Sequence, residues 1–87
     1  MLSLSEGKRM SKDIYNLAQK ITKEYFNRNM MSVMGAKVVG DYMYVIGGDN
    51  GFPHTRAHVK VDLKTEKIVE YYNAHDCPVY VSEGVYW

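Results

Sequence analysis

Apolar residues recur at helical spacing through the first third of the chain. The stripe consists of Ile14, Leu17, Ala18, Ile21 and Tyr25. Spacings of three and four residues place these side chains on one face of a helix, while polar residues follow the opposite face. The pattern predicts an amphipathic helix over residues 12 to about 29 whose apolar face packs on a second layer. Tyr15 and Phe26 fall on one flank, between the two faces.

Beyond Gly35 the helical period gives way to short runs rich in β-forming residues. These runs predict strands over residues 36–40, 42–47, 57–62 and 67–73, with a last short strand inside residues 79–86. Gly40 and Asp41 suit a two-residue hairpin turn. The glycine-rich stretch over residues 47–53 predicts a long mobile loop. The order of elements favours an α+β fold, with one N-terminal helix packed on a four- to five-stranded antiparallel β-sheet.

Alternation in the last two long strands predicts their register. Asp62 is expected to pair with Lys67. In that register His58 lies opposite Tyr71. The side that faces the helix then receives Ala57, Val59, Val61, Ile68 and Tyr72. The outer face receives His58, Lys60, Val69 and Tyr71. Glu70 falls on the helix side, where a carboxylate would have to reach the sheet edge to stay hydrated.

Length and composition describe one small globular domain. The chain has 87 residues, of which 46% are hydrophobic and 24% are charged, and this balance excludes a chain that is disordered throughout. We place the domain at residues 11–87, behind a frayed lead-in at residues 1–10. The net charge of +1 disfavours strong nucleic-acid binding, which needs a marked basic excess.

Cysteine usage and hydropathy bear on location. Cys77 is the only cysteine, so the fold stands without an intramolecular disulfide and suits a reducing compartment. No apolar run approaches the ~18 residues that span a membrane. The first residues lack the basic start and apolar stretch of a secretory signal. The sequence thus favours a cytoplasmic protein.

A zinc site is possible from the residue types but is not supported by their spacing. The candidate ligands are His54, His58, His75 and Cys77. Zinc needs about four nitrogen or sulfur ligands around one point. The first two candidates would lie ~13 Å apart on a strand that rises ~3.3 Å per residue, and the set matches no recognised motif. We therefore expect no metal.

Two further chemistries lack a required partner. A nucleophilic Cys77 would need a depressed thiol pKa, yet Pro78 follows it and no helix begins there to lower the pKa. A glycine-rich phosphate-binding loop is followed by the N-terminus of a helix, whose amides bind the phosphate. No helix is predicted after the glycine-rich stretch of this chain. We expect no cofactor and no catalysis.

The polar face of the helix is basic. Lys12, Lys20 and Lys23 lie along it, where they could contact phosphates or an acidic partner. Spaced cations are also the ordinary result of amphipathicity. We therefore interpret them as a solvated helix face.

Aromatic residues supply the strongest functional signal. The chain has eight Tyr, two Phe and one Trp, more than the thin core of so short a chain can bury. Tyr and Trp anchor protein interfaces at low entropy cost. We predict an exposed surface that binds a protein partner, formed by Tyr42, Tyr44, His58, Lys60, Tyr71, Tyr86 and Trp87.

The stretch Ala36-Lys37-Val38-Val39-Gly40 resembles the first hairpin of cystatins, whose pattern is Gln-x-Val-x-Gly. Val38 and Gly40 match, and alanine stands in place of the glutamine. The resemblance covers residues 11–62 and implies a helix wrapped by an antiparallel sheet, with this hairpin entering the cleft of papain-like proteases. The family's second wedge, a Leu-Pro or Pro-Trp pair, is absent from residues 63–67.

A second resemblance is to PepSY-type domains, which also combine a helix with a few strands. It rests on the stretch Val61-Asp62-Leu63-Lys64-Thr65-Glu66-Lys67-Ile68-Val69, which is similar to their closing hairpin. Glu66 stands where a glycine is usual in that family.

Together these features favour a small non-enzymatic protein-binding module that acts as an inhibitor or adaptor. A phage-encoded inhibitor of a host defence enzyme is one example by analogy. The outer sheet face, the hairpin tips and the aromatic C-terminus would meet the partner, and a homodimer also fits the pattern. Two alternatives stay open. One is a cystatin-like cysteine protease inhibitor that depends on Gly40, and the other is a Cys/His metal-binding protein or thiol enzyme.

Overall fold

A helix packed on a four-stranded antiparallel sheet makes up the described part of the chain. The computed structural model describes residues 11–49, 52–73 and 76–87, without the side chains at 11, 49 and 52–55. The elements are α1 (Ser11–Arg28), β1 (Ser32–Val39), β2 (Tyr42–Asp49), β3 (Phe52–Asp62) and β4 (Lys67–Asn73). The strands follow the order β1-β2-β3-β4, which confirms the predicted α+β class. The predicted lead-in at residues 1–10 lies outside the described residues.

Helix α1 packs its apolar stripe on one face of the sheet. Ile14 and Ala18 are fully buried there, and Phe26, placed on the flank by its spacing, is only 1% exposed. The sheet contributes Ala36, Met43, Val45, Val59 and Val61. Thr22 is also buried, and its hydroxyl donates to the Ala18 carbonyl at 2.6 Å. That bond satisfies the hydroxyl inside an otherwise apolar layer.

The helix ends at Arg28 without the help of a glycine. Met30 adopts a φ of 59°, the left-handed conformation that commonly terminates helices. The amide of Met31 donates to the Phe26 carbonyl at 2.7 Å, so this carbonyl of the last turn stays paired. Strand β1 then begins at Ser32, earlier than the sequence pattern predicts.

The glycine-rich stretch does not form the long loop that its composition predicts. Strand β2 continues to Asp49 and β3 begins at Phe52, with residues 50–51 outside the described part of the chain. Gly47 lies inside β2, and the Phe26 ring occupies the space that the Cβ of any other residue would need at this position. The glycine therefore permits close approach of the helix to the sheet and does not mark a turn.

A β-bulge at Val69 changes the register predicted between β3 and β4. The pairing next to the turn is as predicted, but beyond the bulge His58 lies opposite Tyr72, not Tyr71. The prediction that Tyr71 is on the outer face and Tyr72 on the helix side is therefore wrong. One inserted residue exchanges the faces of all residues that follow it. Glu70 moves to the outer face for the same reason.

Deletion of Val69 is expected to lower the free energy of unfolding by no more than about 1 kcal/mol. Val69 is 46% exposed and has no partner in β3, so its removal leaves every pair of the ladder in place. Urea unfolding measures the effect. Deletion of the fully buried Val45 is the control, because it shifts both ladders of the central strand β2 and should abolish folding. Equal damage from the two deletions would contradict the assigned bulge.

Residues 76–87, here called the C-terminal segment, cross the outer face of the sheet. Val81 packs on Tyr44 and Ile46 of β2 in a second apolar cluster. The partly buried residues that join this cluster are Met34, Tyr72, Cys77 and Val79. The sheet therefore has a core on each side, a large one under the helix and a small one under the C-terminal segment.

The end of the C-terminal segment pairs with the free edge of β1. Ala36 and Tyr86 form a parallel bridge. The Ala36 amide donates to the Val85 carbonyl at 3.0 Å, and the Trp87 amide donates to the Ala36 carbonyl at 3.0 Å. Within the described residues the predicted last strand is thus reduced to a single bridge, and it covers the β1 edge while β4 forms the opposite edge.

Candidate functional site

One end of the outer sheet face carries exposed apolar side chains. Val39 lies opposite Tyr42, and the two are 42% and 37% exposed. Trp87 adds a ring that is 62% exposed, held there because its backbone pairs with β1. Two lysines lie over the Tyr42 and Trp87 rings. We call this set the outer aromatic surface, which consists of Lys37, Val39, Tyr42, Lys60 and Trp87.

Strand alternation brings these side chains together. Lys37 and Val39 are two residues apart in β1 and share its outer face. Lys37 lies opposite Tyr44 of β2, and Tyr44 lies opposite Lys60 of β3. The two lysines therefore flank a buried tyrosine in a row that crosses three strands. Hydrogen-bonded strands hold such a row more rigidly than a loop would.

Each lysine lies over an aromatic ring. The Lys60 ammonium is 4.2 Å from the centroid of the Tyr42 ring, and the Lys37 ammonium is 5.2 Å from that of Trp87. Both distances lie within the ~6 Å range of a cation–π interaction. The surface thus combines aromatic area with two cations that favour defined ring positions.

Glu70 connects this surface to the covered part of the outer face. Its Oε1 lies 3.4 Å from the Lys60 ammonium and accepts a hydrogen bond from the Tyr72 hydroxyl at 3.0 Å. Desolvation lowers the pKa of Lys60, but Tyr44 and Glu70 together raise it by more than desolvation lowers it. The net shift of the Lys60 pKa is therefore upward, and the lysine stays charged. Desolvation, together with the bond to Glu70, raises the pKa of Tyr72 to about 12.

The structure separates the seven residues predicted to bind a partner. Tyr42, Lys60 and Trp87 belong to the outer aromatic surface, where Lys60 lies over the Tyr42 ring and Trp87 lies beside Lys37. Tyr44 and His58 lie on the same sheet face but within its covered part, and each is only 7% exposed. The binding role of all seven stays a prediction.

The other two predicted residues, Tyr71 and Tyr86, lie on the helix side of the sheet. The Tyr71 ring is 59% exposed at the β4 edge, with its centroid 5.0 Å from that of Tyr25. The Tyr86 ring meets Tyr15 edge-on at 5.0 Å, and desolvation raises the pKa of its hydroxyl. The bulge at Val69 places Tyr71 on the helix side of the sheet. The parallel pairing of the C-terminal segment with β1 places Tyr86 there as well.

Sequence reasoning missed Lys37 and Val39 as members of the outer aromatic surface. Their alternate positions in the first predicted strand already place them on one face, opposite to Ala36. The unbroken apolar run over residues 42–46 is a second signal. Such a run is typical of a strand covered on both faces, and it could have indicated a cover on the outer side.

The structure describes the side chains of only two candidate zinc ligands. The His54 side chain and all of His75 lie outside the described part. The Cys77 thiol donates to the Val79 carbonyl at 3.2 Å. Desolvation by burial raises the pKa of the Cys77 thiol, which keeps it protonated at neutral pH. Among the residues that the structure describes, no three His, Cys, Asp or Glu side chains are grouped to hold a metal ion.

The basic face of the helix is partly neutralised. Lys20 pairs with the carboxylate of Glu66 in the β3–β4 turn at 3.0 Å. Near the helix end, Arg28 pairs with Glu24 at 2.8 Å. Lys23 makes no ion pair with any residue that the structure describes. A phosphate would therefore meet a weaker positive field than the sequence suggests.

Within the described residues, no helix combines the length and the apolar character needed to cross a membrane. The chain has no significant match to a protein-family model, to a curated protein or to a solved structure. The chemistry of the outer aromatic surface is therefore the basis for a functional inference.

Proposed function

We propose that this chain is a small non-enzymatic protein-binding module that meets its partner through the outer aromatic surface. The observation that carries the proposal is that Tyr42 stands exposed opposite Val39 and Trp87 stands exposed beside Lys37, while the chain itself covers Tyr44 and Ile46 of the same face. Tyr and Trp present large, rigid contact areas and dominate the binding energy of many interfaces. The three side chains supply a compact apolar centre for an interface.

The charges around this surface favour a protein over a nucleic acid. Lys60 is paired with Glu70, and Asp62 lies opposite Tyr42 in the neighbouring strand. These carboxylates repel the phosphates that Lys37 and Lys60 attract, and the net charge of the chain is only +1. A rim of mixed charge around an apolar centre suits a protein partner.

The neighbouring turns extend the proposed contact area. The Leu63 amide donates to the Asp41 carbonyl at 3.0 Å, which joins the β1–β2 turn to the β3–β4 turn beside Tyr42. A partner seated on the outer aromatic surface therefore also reaches both turns. A module of this shape suits an inhibitor or an adaptor. Within that proposal, inhibition of a cysteine protease through the Gly40 turn stays an alternative.

The immobilised protein is expected to capture a stoichiometric partner from a lysate of its native cell, and the purified pair then gives a Kd by calorimetry. Tyr42→Ala and Trp87→Ala are each expected to weaken that Kd by about 30-fold or more, since such truncations cost about 2 kcal/mol or more. Tyr71→Ala removes a comparably exposed ring on the opposite face of the sheet. This matched control is expected to change the Kd by less than about twofold.

Equal weakening by Tyr71→Ala and Trp87→Ala would place the contact elsewhere and contradict the proposal. A pull-down that returns no partner would also count against it. Low-salt binding of DNA or RNA that disappears when Lys12, Lys20 and Lys23 are neutralised would replace it with a nucleic-acid function.

A further inference from the structure

His58 is a buried imidazole. It lies in β3 on the outer face and is 7% exposed. Its Nδ1 is enclosed and bonds to no residue that the structure describes. A neutral imidazole tolerates such a position at modest cost. An imidazolium carries an N–H donor on both ring nitrogens, so protonation would leave the enclosed Nδ1–H without an acceptor among the described residues.

Apolar and phenolic side chains surround this imidazole. The cross-strand neighbours of His58 are Ile46 in β2 and Tyr72 in β4. Both neighbours belong to the small core that Val81 and Cys77 of the C-terminal segment complete. Because His58 is itself only 7% exposed on this face, the same segment is what covers it, and the segment also brings the Cys77 thiol to this core.

The charged groups near His58 are already engaged with each other. Arg56 and Lys60 lie two residues away on the same face of β3. Arg56 pairs at 2.9 Å with Glu83 of the C-terminal segment, and Lys60 lies 3.4 Å from Glu70 of β4. Protonation of His58 would add a third positive charge to this row, next to carboxylates that are committed elsewhere.

The segment that covers His58 also positions Trp87. Beyond the small core it pairs with β1, where the Val38 amide donates to the Trp87 carbonyl at 3.2 Å. The Lys37 ammonium then lies 5.2 Å from the Trp87 ring centroid. One segment therefore joins the small core over the sheet to the position of the Trp87 ring.

We propose that protonation of His58 releases the C-terminal segment from the sheet and thereby withdraws Trp87 from the outer aromatic surface. The release itself follows from the burial of His58 under this segment, and its effect on partner binding rests on the proposed function. Release of the C-terminal segment would expose the side chains of the small core that remain on the sheet, namely Tyr44, Ile46 and Tyr72.

The direction of the pH dependence follows from linkage. Desolvation by burial lowers the pKa of His58 below its ordinary value of 6.5, which the released state regains. The docked state therefore binds fewer protons than the released state once the pH falls below about 6.5. The docking equilibrium constant then falls by up to about tenfold for each pH unit until the pKa of the docked state is reached.

Fluorescence reports docking directly because Trp87 is the only tryptophan. Between pH 8 and pH 5 the wild-type protein is expected to show a transition that lies below about pH 6.5, because the docking constant falls only in that range. His58→Gln keeps a polar side chain that does not titrate, and this variant is expected to show no transition. Gly35→Val, in which a new side chain would collide with the Ser82 carbonyl, supplies the spectrum of the released segment at pH 8.

A flat wild-type profile down to pH 5 would overturn the proposal, and so would a transition that persists in His58→Gln. If His58→Gln does not fold, NMR of the wild-type protein decides the matter. The His58 ring signals and the Val38 amide signal must then titrate with one midpoint, and independent midpoints would overturn the proposal. These measurements need no partner. A clear transition without any captured protein would sustain the release and remove only the proposed function.

Discussion

Replacement of Phe26 by alanine is expected to lower the free energy of unfolding by about 3–5 kcal/mol. Phe26 is the largest side chain in the fully buried group, at 1% exposure. Its ring fills the space above Gly47 and meets the Tyr25 ring edge-on, with centroids 5.2 Å apart. Small domains have about 5 kcal/mol or little more to lose, so the variant should be close to unfolded. Urea unfolding followed by circular dichroism measures the change.

The fit between Phe26 and Gly47 can be tested as a pair. A Cβ at Gly47 would lie within 3.0 Å of the ring, so Gly47→Ala alone is expected to cost about 1–3 kcal/mol as overpacking. In the Phe26→Leu background the same change should cost less, because the ring that it strikes is gone. Additive energies around this double-mutant cycle would contradict the contact.

Gly35→Val is expected to detach the C-terminal segment while α1 stays packed on the sheet. A Cβ at Gly35 would collide with the backbone carbonyl of Ser82 and lie 3.2 Å from that of Val85. Backbone atoms in a paired segment cannot move aside as a flexible side chain can, so the segment must shift as a whole. The expected result is a Trp87 that leaves the Lys37 ammonium and rises above its 62% exposure, read from a red-shifted emission maximum, with far-UV circular dichroism close to that of the wild type.

Gly40→Ala is the matched control for that experiment. Gly40 has a φ of 61°, and nothing lies within 4 Å of a Cβ built there. The substitution strains the turn by about 1 kcal/mol but leaves the C-terminal segment in place. Equal effects of Gly35→Val and Gly40→Ala on the emission of Trp87 would contradict the docking described above. Cleavage by protease confined to residues 76–87 in Gly35→Val would support it.

Local pattern predicted most of the secondary structure. The stripe that begins at Ile14 predicted α1 nearly to the residue, and the turn at Gly40 joins β1 to β2 as expected. The bounds of β4 at residues 67–73 also agree. Periodicity and turn preference act over a few neighbouring residues, so these features can be recognised without any knowledge of the fold.

The candidate surface was predicted only in part. The sequence indicated an excess of aromatic side chains and named Tyr42, Lys60 and Trp87 among seven residues. It did not separate them from Tyr44, which a segment almost forty residues further along the chain covers. Coverage depends on how distant parts of the chain meet, and no local preference encodes it.

The sequence by itself determined an α+β domain with one amphipathic helix, an antiparallel sheet and its tight turns, because hydrophobic period and turn chemistry are local properties. Only the tertiary structure decided that Val69 bulges, that Phe26 rests on Gly47 and that residues 76–87 cover Tyr44 and Ile46. Each of these depends on contact between positions far apart in the chain. A single inserted residue such as Val69 exchanges the two faces of a strand, and the local sequence pattern does not show which residue will be the inserted one.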